Sequence, residues 1–337
     1  MQIKPPFLLF LGDAQDNLAI KTAQGVVQWR PHWCVGQLRL TGCKADTGFP
    51  DITLREAVSK EAKTLVIGCV NAGGFLPDHW IETVVEALDA GLNVASGLHV
   101  KLEETPRIEE AAKRNNRQLF NLRHCERTFE TGKGEKRRGR RLLTVGTDCS
   151  TGKKFTALAL EAALRERGHD ADFVATGQTG ILIAGQGLAL DAVVSDFLSG
   201  AAEWLTPDAC SNHWYIVEGQ GSLYHPSFAG VSLGLLHGTQ PDAFIVCHEP
   251  TRRTMRGVST PVPTVRQIID ATLLHGKLTN PLIKCIGISV NTENLEEESA
   301  QDYLLSLHHE LSLPITDPLR YGVEPFIDIL TKEFGPT

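Results

Sequence analysis

No apolar run in the 337-residue chain approaches the ~18 residues of a bilayer-spanning helix; the longest near the N-terminus, Phe7–Leu11, is five residues and ends at Gly12-Asp13. That stretch is also too short for the apolar region of a signal peptide, and no small-residue cleavage site follows it. The expected location is therefore the cytoplasm, with no membrane partner. A basic excess is missing too: Lys+Arg 33 against Asp+Glu 40 gives a net charge of −7, without the footprint of a nucleic-acid binder, so small molecules are the expected partners. None of the eight cysteines (Cys34, Cys43, Cys69, Cys125, Cys149, Cys210, Cys247, Cys285) belongs to a CxxC pair, and Cys69, Cys247 and Cys285 lie in apolar runs that read as buried strands. Reduced thiols filling the core are expected. Internal repeats are absent, and Gly 31 and Pro 17 show no collagen-like period.

A hydrophobic content of 42%, with 22% charged residues, is that of a globular protein, and the length is about twice the ~150 residues of one domain. Short apolar runs alternate with helical patterns from residue 7 to about 122. Phe7–Leu11, Trp33–Leu38, Thr64–Val70, Asn93–Ser96 and Gln118–Asn121 read as strands, and Asp78–Ala90 as an amphipathic helix stopped by Gly91. Between Arg127 and Arg141 lie seven basic residues, two acidic ones and three glycines, which predicts a flexible, solvated linker. The alternation then restarts. Leu142–Val145, Phe173–Ala175, Tyr215–Val217, Ala243–Cys247 and Ile283–Val290 are strand candidates; Lys154–Arg167, Asp191–Trp204, Val265–Leu274 and Glu296–Glu310 are helix candidates. The expectation is an α/β fold: a Rossmann-like parallel-sheet domain over 1–126, a linker over 127–141 and a P-loop NTPase-like domain over 142–337.

The segment Leu142–Phe155 runs from an apolar strand through the loop Gly146-Thr147-Asp148-Cys149-Ser150-Thr151-Gly152 to Lys153, Lys154 and a helix. Glycines let backbone N–H groups converge, the helix start adds its positive end, and a lysine reaches outer phosphates, which is the design of a P-loop. Two departures from G-x4-GK-[ST] stand out: five residues separate Gly146 from Gly152, and Lys154 replaces the hydroxyl that binds Mg²⁺. The five-residue spacing with its Gly-Thr-Asp opening, and the later Val217-Glu218-Gly219, resemble dethiobiotin synthetase. No metal is expected; if Mg-ATP is used, Asp148, Thr151 and Glu218 are the candidate ligands.

Other constellations follow strands, at the carboxyl edge where open α/β sheets place ligands. Thr176-Gly177-Gln178-Thr179-Gly180 offers Gln178 and Thr179 to a substrate. In Glu218-Gly219-Gln220-Gly221-Ser222-Leu223-Tyr224-His225-Pro226, Glu218 is a candidate metal ligand, proton acceptor or partner of Lys153, and His225 a candidate base or a packing group; Gln220 and Ser222 join the substrate set. Arg252 and Arg253 suit capture of a carboxylate or phosphate. Asn291 reads as a base-recognising asparagine or a helix cap. Cys149, beside a helix N-terminus, is expected to have a lowered pKa. The loop Asn71–Pro77 lacks G-x-G-x-x-G and is assigned to substrate or interface duty.

Taken together, GTDCSTGKK, ATGQTG, DAVVSDF, VEGQGSLYHP, LGLLHG and CHEPTRR resemble a family long filed as a domain of unknown function, with a Rossmann-like N-terminal and a P-loop C-terminal domain, over nearly the whole chain. The resemblance implies an acetyl-CoA-dependent N-acetyltransferase acting on D-glutamate. A P-loop can hold the phosphates of coenzyme A without the missing hydroxyl, with Arg252 and Arg253 on the substrate carboxylates and Glu218 or His225 taking the amine proton. A Mg-ATP-dependent ligase or kinase and a nucleotide-binding regulatory protein are the alternatives. Oligomeric state, a homo-oligomer included, is not legible.

Overall fold

The structure, a computed structural model, describes residues 3–17, 19–69, 75–124 and 127–335. The chain forms two compact units, one of residues 1–126 with 177–192 and the other of residues 127–176 with 193–337.

In the first unit, β1 (Phe7–Gly12), β2 (Cys34–Arg39), β3 (Thr64–Ile67), β4 (Asn93–Ser96) and β5 (Leu119–Asn121) form a parallel sheet in the order β2-β1-β3-β4-β5. The strand β1 is buried at every residue, as an unbroken Phe-Leu-Leu-Phe-Leu run requires when helices cover both faces. Its helices are α1 (Lys21–Trp29), α2 (Leu54–Ser59), α3 (Asp78–Asp89) and α4 (Pro106–Arg114). Asn71–Gly74, part of the loop assigned to substrate or interface duty, and Cys125 lie outside the described residues.

The second unit carries a six-stranded parallel sheet in the order β11-β10-β9-β6-β8-β7. Its strands are β6 (Arg140–Gly146), β7 (Ala171–Val174), β8 (Trp214–Val217), β9 (Ala243–His248), β10 (Lys284–Val290) and β11 (Ile315–Thr316). The helices are α5 (Lys153–Glu166), α7 (Leu198–Leu205), α8 (Ala229–Thr239), α9 (Val265–Gly276), α10 (Glu297–Leu311) and α11 (Glu324–Phe334), while α6 (Gln178–Ala184) belongs to the first unit. Leu142, Leu160, Trp214, Ile245, Phe326 and Leu330 form the core under α5 and α11. From β6 the chain goes first to the edge strand β7, returns to β8 beside β6, and then crosses to the other side for β9, β10 and β11. β6 therefore stands at the switch in strand order, where the carboxyl ends leave a crevice.

The structure departs from the sequence reading in three places. Residues 177–192 pack with the first unit, so the unit carrying the P-loop is not one continuous stretch from 142 to 337. The helix expected over Asp191–Trp204 is two 3₁₀ turns, Leu190–Ala192 and Ser195–Phe197, before α7 begins at Leu198, because the chain passes between units there.

Finally, of the linker expected over 127–141, Arg140 and Arg141 belong to β6, and residues 127–139 lack regular structure but are pinned to the second unit. Lys133 and Gly134 N–H groups donate to Glu203, Arg137 donates to the carbonyls of Thr206 and Gly238, and a Cβ on Gly200 would lie 1.9 Å from Glu130 O. Basic side chains that bind carbonyls make this a strap and not a solvated hinge.

Candidate functional site

The phosphate loop joins β6 to α5. Two backbone features give it its shape: Ser150 in the left-handed region at φ +53° and Gly152 at φ +102°, where a side chain would be strained. Gly146 and Gly219 are needed for space. A Cβ on Gly146 would lie 2.8 Å from Thr151 Oγ1 and 2.9 Å from Lys153 Nζ, and one on Gly219 only 1.6 Å from Thr144 O. Lys153 is buried, and its Nζ donates to Asp148 O at 2.6 Å. Burial lowers its pKa, the attraction of nearby thiols and Asp148 opposing this. Lys154 lies in the first turn of α5 with its Nζ 4.6 Å from the Phe155 ring centre.

Asp148 is the hub of the loop. Fully buried, it accepts from Cys149 N at 2.7 Å on Oδ1, and from Arg252 Nη1 at 2.6 Å and Arg256 N at 2.8 Å on Oδ2. Arg252 continues to Cys149 O at 2.6 Å, and its Nε lies 3.4 Å from Glu249. Arg256 Nη1 donates to Ser150 Oγ at 2.6 Å. The segment after β9 thus lies over the loop. The arginine pair of the sequence reading divides: Arg252 joins the loop, whereas Arg253 is exposed. Arg256, which the reading missed, joins it instead.

Beneath this, Thr147 Oγ1 and His248 Nδ1 are 3.0 Å apart, and burial pushes the His248 pKa down to about 4. Cys149 does not become the thiolate expected of a helix N-terminus. Burial raises its pKa above the usual value, outweighing the cations Lys153, Arg256 and Arg252.

Glu218 leaves β8 buried, with Oε2 accepting from Thr176 N at 3.0 Å, while Thr176 Oγ1 donates to Glu218 O at 2.6 Å and accepts from Gln220 Nε2 at 2.9 Å. Glu218, Gln220 and Thr176 therefore form one cluster. Ser222 is buried nearby, its Oγ accepting from Tyr224 N at 3.3 Å. His225 has both ring nitrogens committed. Nδ1 accepts from Ser227 N at 3.1 Å, so the proton sits on Nε2, which faces Arg256 O at 3.0 Å. An imidazole without a spare lone pair positions its neighbours and is poorly placed to take a proton.

Asn291 Oδ1 accepts from Glu293 N at 3.1 Å and is no cap of α10, whose cap is Glu296. Gln178 and Thr179 belong to the first unit: Gln178 lies against Gly97, just beyond β4, and Thr179 Oγ1 is 3.4 Å from Thr22 Oγ1.

Asp148, Cys149 and His225 bring one donor atom each within 4.8 Å of one another, yet they do not suit a metal. The His225 lone pair is used and Asp148 already takes three N–H donors. Thr151, offered for Mg²⁺ in the sequence reading, donates to Asp148 O. A groove of about 440 Å³ among Leu223, Tyr224, Leu233, Asp270 and Leu274 carries a carboxylate but no lysine or arginine, so it is not the phosphate site.

A family model described as a domain of unknown function, the DUF1611 P-loop domain, matches residues 128–327, and the Rossmann-like DUF1611 N-terminal model matches 38–125. The chain belongs to the DUF1611 family. Of its DUF1611 relatives with solved structures, a protein from Anabaena variabilis superposes with a TM-score of 0.86 at 27% identity, covering 97% of this chain and 99% of the other. The chain is also 49% identical over 97% of its length, and 99% of the relative's, to a D-glutamate N-acetyltransferase of Pseudoalteromonas sp. A second protein of that name, from Tritonibacter scottomollicae, is 48% identical, again over 97% and 99% of the two chains. Among the described residues of this DUF1611 chain, no helix is long and apolar enough to cross a membrane.

Proposed function

We propose that this protein is a D-glutamate N-acetyltransferase that draws its acetyl group from acetyl-CoA and works in the cytoplasm on small molecules, with no nucleic-acid or membrane partner. The near-complete alignment at 49% identity with a D-glutamate N-acetyltransferase carries the reading. The loop supports it, since Lys154 stands where a Mg²⁺-binding hydroxyl would serve phosphoryl transfer, and the Asp148 carboxylate is committed to Arg252. In this reading the loop N–H groups and Lys153 hold the coenzyme diphosphate. The thioester supplies an activated acyl carbon and a thiol leaving group.

The remaining work falls to the chain. Glu218, held by the Thr176 N–H, is the acceptor for the proton the attacking amine must lose; the N–C bond forms as the C–S bond breaks, and that proton ends on the departing sulfur. Gln220 and Ser222 line the same edge, and Arg252, paired with Asp148 and Glu249, holds the loop in shape. His225 is left out of proton transfer because both of its nitrogens are used.

The test is thiol release from acetyl-CoA. Release should require D-glutamate, persist in EDTA, and fall at least ~100-fold in Glu218→Gln, within the range that general-base groups contribute. Strict Mg²⁺ dependence with ADP formation from ATP would replace this reading with the ligase or kinase.

A further inference from the structure

Among the described residues, Arg256 forms no ion pair, although it sits at the rim of a phosphate loop; its guanidinium donates to a neutral hydroxyl, Ser150 Oγ, at 2.6 Å. Arg252 differs in this respect, because its charge is matched by Asp148 and Glu249. The placement of Arg256 is fixed from its backbone. Its N–H donates to Asp148 Oδ2 at 2.8 Å, and its carbonyl faces His225 Nε2 at 3.0 Å, both partners being fully buried. Two residues that the sequence marks for metal binding and base catalysis instead hold one exposed arginine over the loop. Arg253, three residues earlier, is exposed, and its carbonyl accepts from Val262 N at 3.1 Å, away from the loop's buried residues Asp148 and His225.

A solvated guanidinium fixed beside an anion cradle, with no carboxylate of its own, is a site for a further anion. We infer that Arg256 binds the 3′-phosphate of coenzyme A, which rests on the acetyl-CoA reading above. The loop with Lys153 is the cradle for the diphosphate, so the cation at Ser150 is available to the monoester phosphate beyond it. That group approaches two negative charges at neutral pH and presents oxygens matched to the guanidinium fork.

The experiment compares CoA with 3′-dephospho-CoA by calorimetry. The wild-type protein should bind CoA about tenfold to a hundredfold more tightly, the range of one charge-assisted contact. In Arg256→Ala the CoA affinity should fall to that of 3′-dephospho-CoA, with affinity for the latter unchanged. Arg256→Lys, which keeps the charge and loses the fork, should fall between the two. The KM for D-glutamate should not move in either variant. Full discrimination retained in Arg256→Ala, or a rise in KM for D-glutamate in place of a loss of CoA affinity, would overturn the assignment. Failure of the wild-type protein to bind CoA at all would instead remove the acetyl-CoA reading on which it rests.

Discussion

The stretch at 137–141, where the strap enters β6, and the segment at 252–256 are both rich in arginine, both without helix or strand for most of their length, and both in the unit that carries the P-loop. Arg141 of the first and Arg256 of the second use their guanidinium groups in opposite ways. Arg141 is fully buried without a carboxylate partner on its guanidinium: Nη1 donates to the carbonyls of Arg137 and Gly139, and Nη2 to those of Arg138, Thr206 and Pro207. Arg137 also donates to the carbonyls of Thr206 and Gly238 and lies 3.7 Å from the Glu203 carboxylate, and burial pushes its pKa down to about 10. Arg256, by contrast, lies beside the P-loop with its guanidinium on the Ser150 hydroxyl, and Arg252 stands between the two cases, bonded to the Asp148 carboxylate and the Cys149 carbonyl. A basic run thus has two physical outcomes. Where backbone carbonyls replace water around the cation, it is a fastening; where a cation is left with a hydroxyl and solvent, it stays open to an anion.

The comparison breaks most visibly at Arg141. In Arg141→Met the carbonyls of Arg137, Gly139 and Pro207 lose their donor, while those of Thr206 and Arg138 keep Arg137 Nε and Ala209 N; a buried polar group left unpaired costs ~1–3 kcal/mol, so the loss should be about 4 kcal/mol of unfolding free energy. Chemical denaturation measures it. Binding of CoA to the folded protein should be unchanged, the reverse of the pattern expected for Arg256→Ala. A loss below ~1 kcal/mol would show that the strap is the loose linker its composition suggests.

A smaller effect comes from His248, the residue from which the 249–256 segment departs. Burial holds its folded pKa at about 4, below the ordinary 6.5. Below pH 6.5 the unfolded chain takes up a proton that the folded protein refuses, so stability is full above that pH and declines as the pH falls toward 4. The shift corresponds to about 3 kcal/mol lost across that window. Denaturation midpoints measured from pH 7 to pH 4 should show this decline, and His248→Gln should flatten it. An unchanged slope in that variant would assign the acid sensitivity to other groups.

How far the sequence could be read follows from the same physics. Asn93–Ser96 was legible residue by residue, and the P-loop was legible as a unit, because strand, glycines, lysine and helix are contiguous. By contrast α8, with Ala-Gly-Val-Ser-Leu-Gly-Leu-Leu, has no polar face and so no helical period to read. β11 is too short, at two residues, to leave a pattern. The roles of His225 and Arg256 depend on Asp148 and on each other across the fold, contacts that no local spacing encodes, although the Ser227 N–H on His225 Nδ1 is only two residues away. Gln178 and Thr179 follow a strand of one unit yet pack in the other, which only the chain's path reveals.

The smallest expected effect sharpens the comparison at Cys149, whose carbonyl accepts from Arg252. A helix N-terminus and three cations should favour a thiolate, but desolvation is the larger influence and raises the pKa above 9.0. Alkylation by iodoacetamide near pH 7.5 should therefore modify the exposed Cys210 several-fold faster than Cys149, and phosphate ligands should slow Cys149 further while leaving Cys210 alone. In Arg252→Ala the loop loses the clamp on Asp148 and on the Cys149 carbonyl, so Cys149 should gain access to solvent and react faster even though a nearby cation has been removed. A slower reaction in that variant would mean that the charge of Arg252 outweighs its role as a fastener, and would place Arg252 with the free cation Arg256 and apart from Arg141.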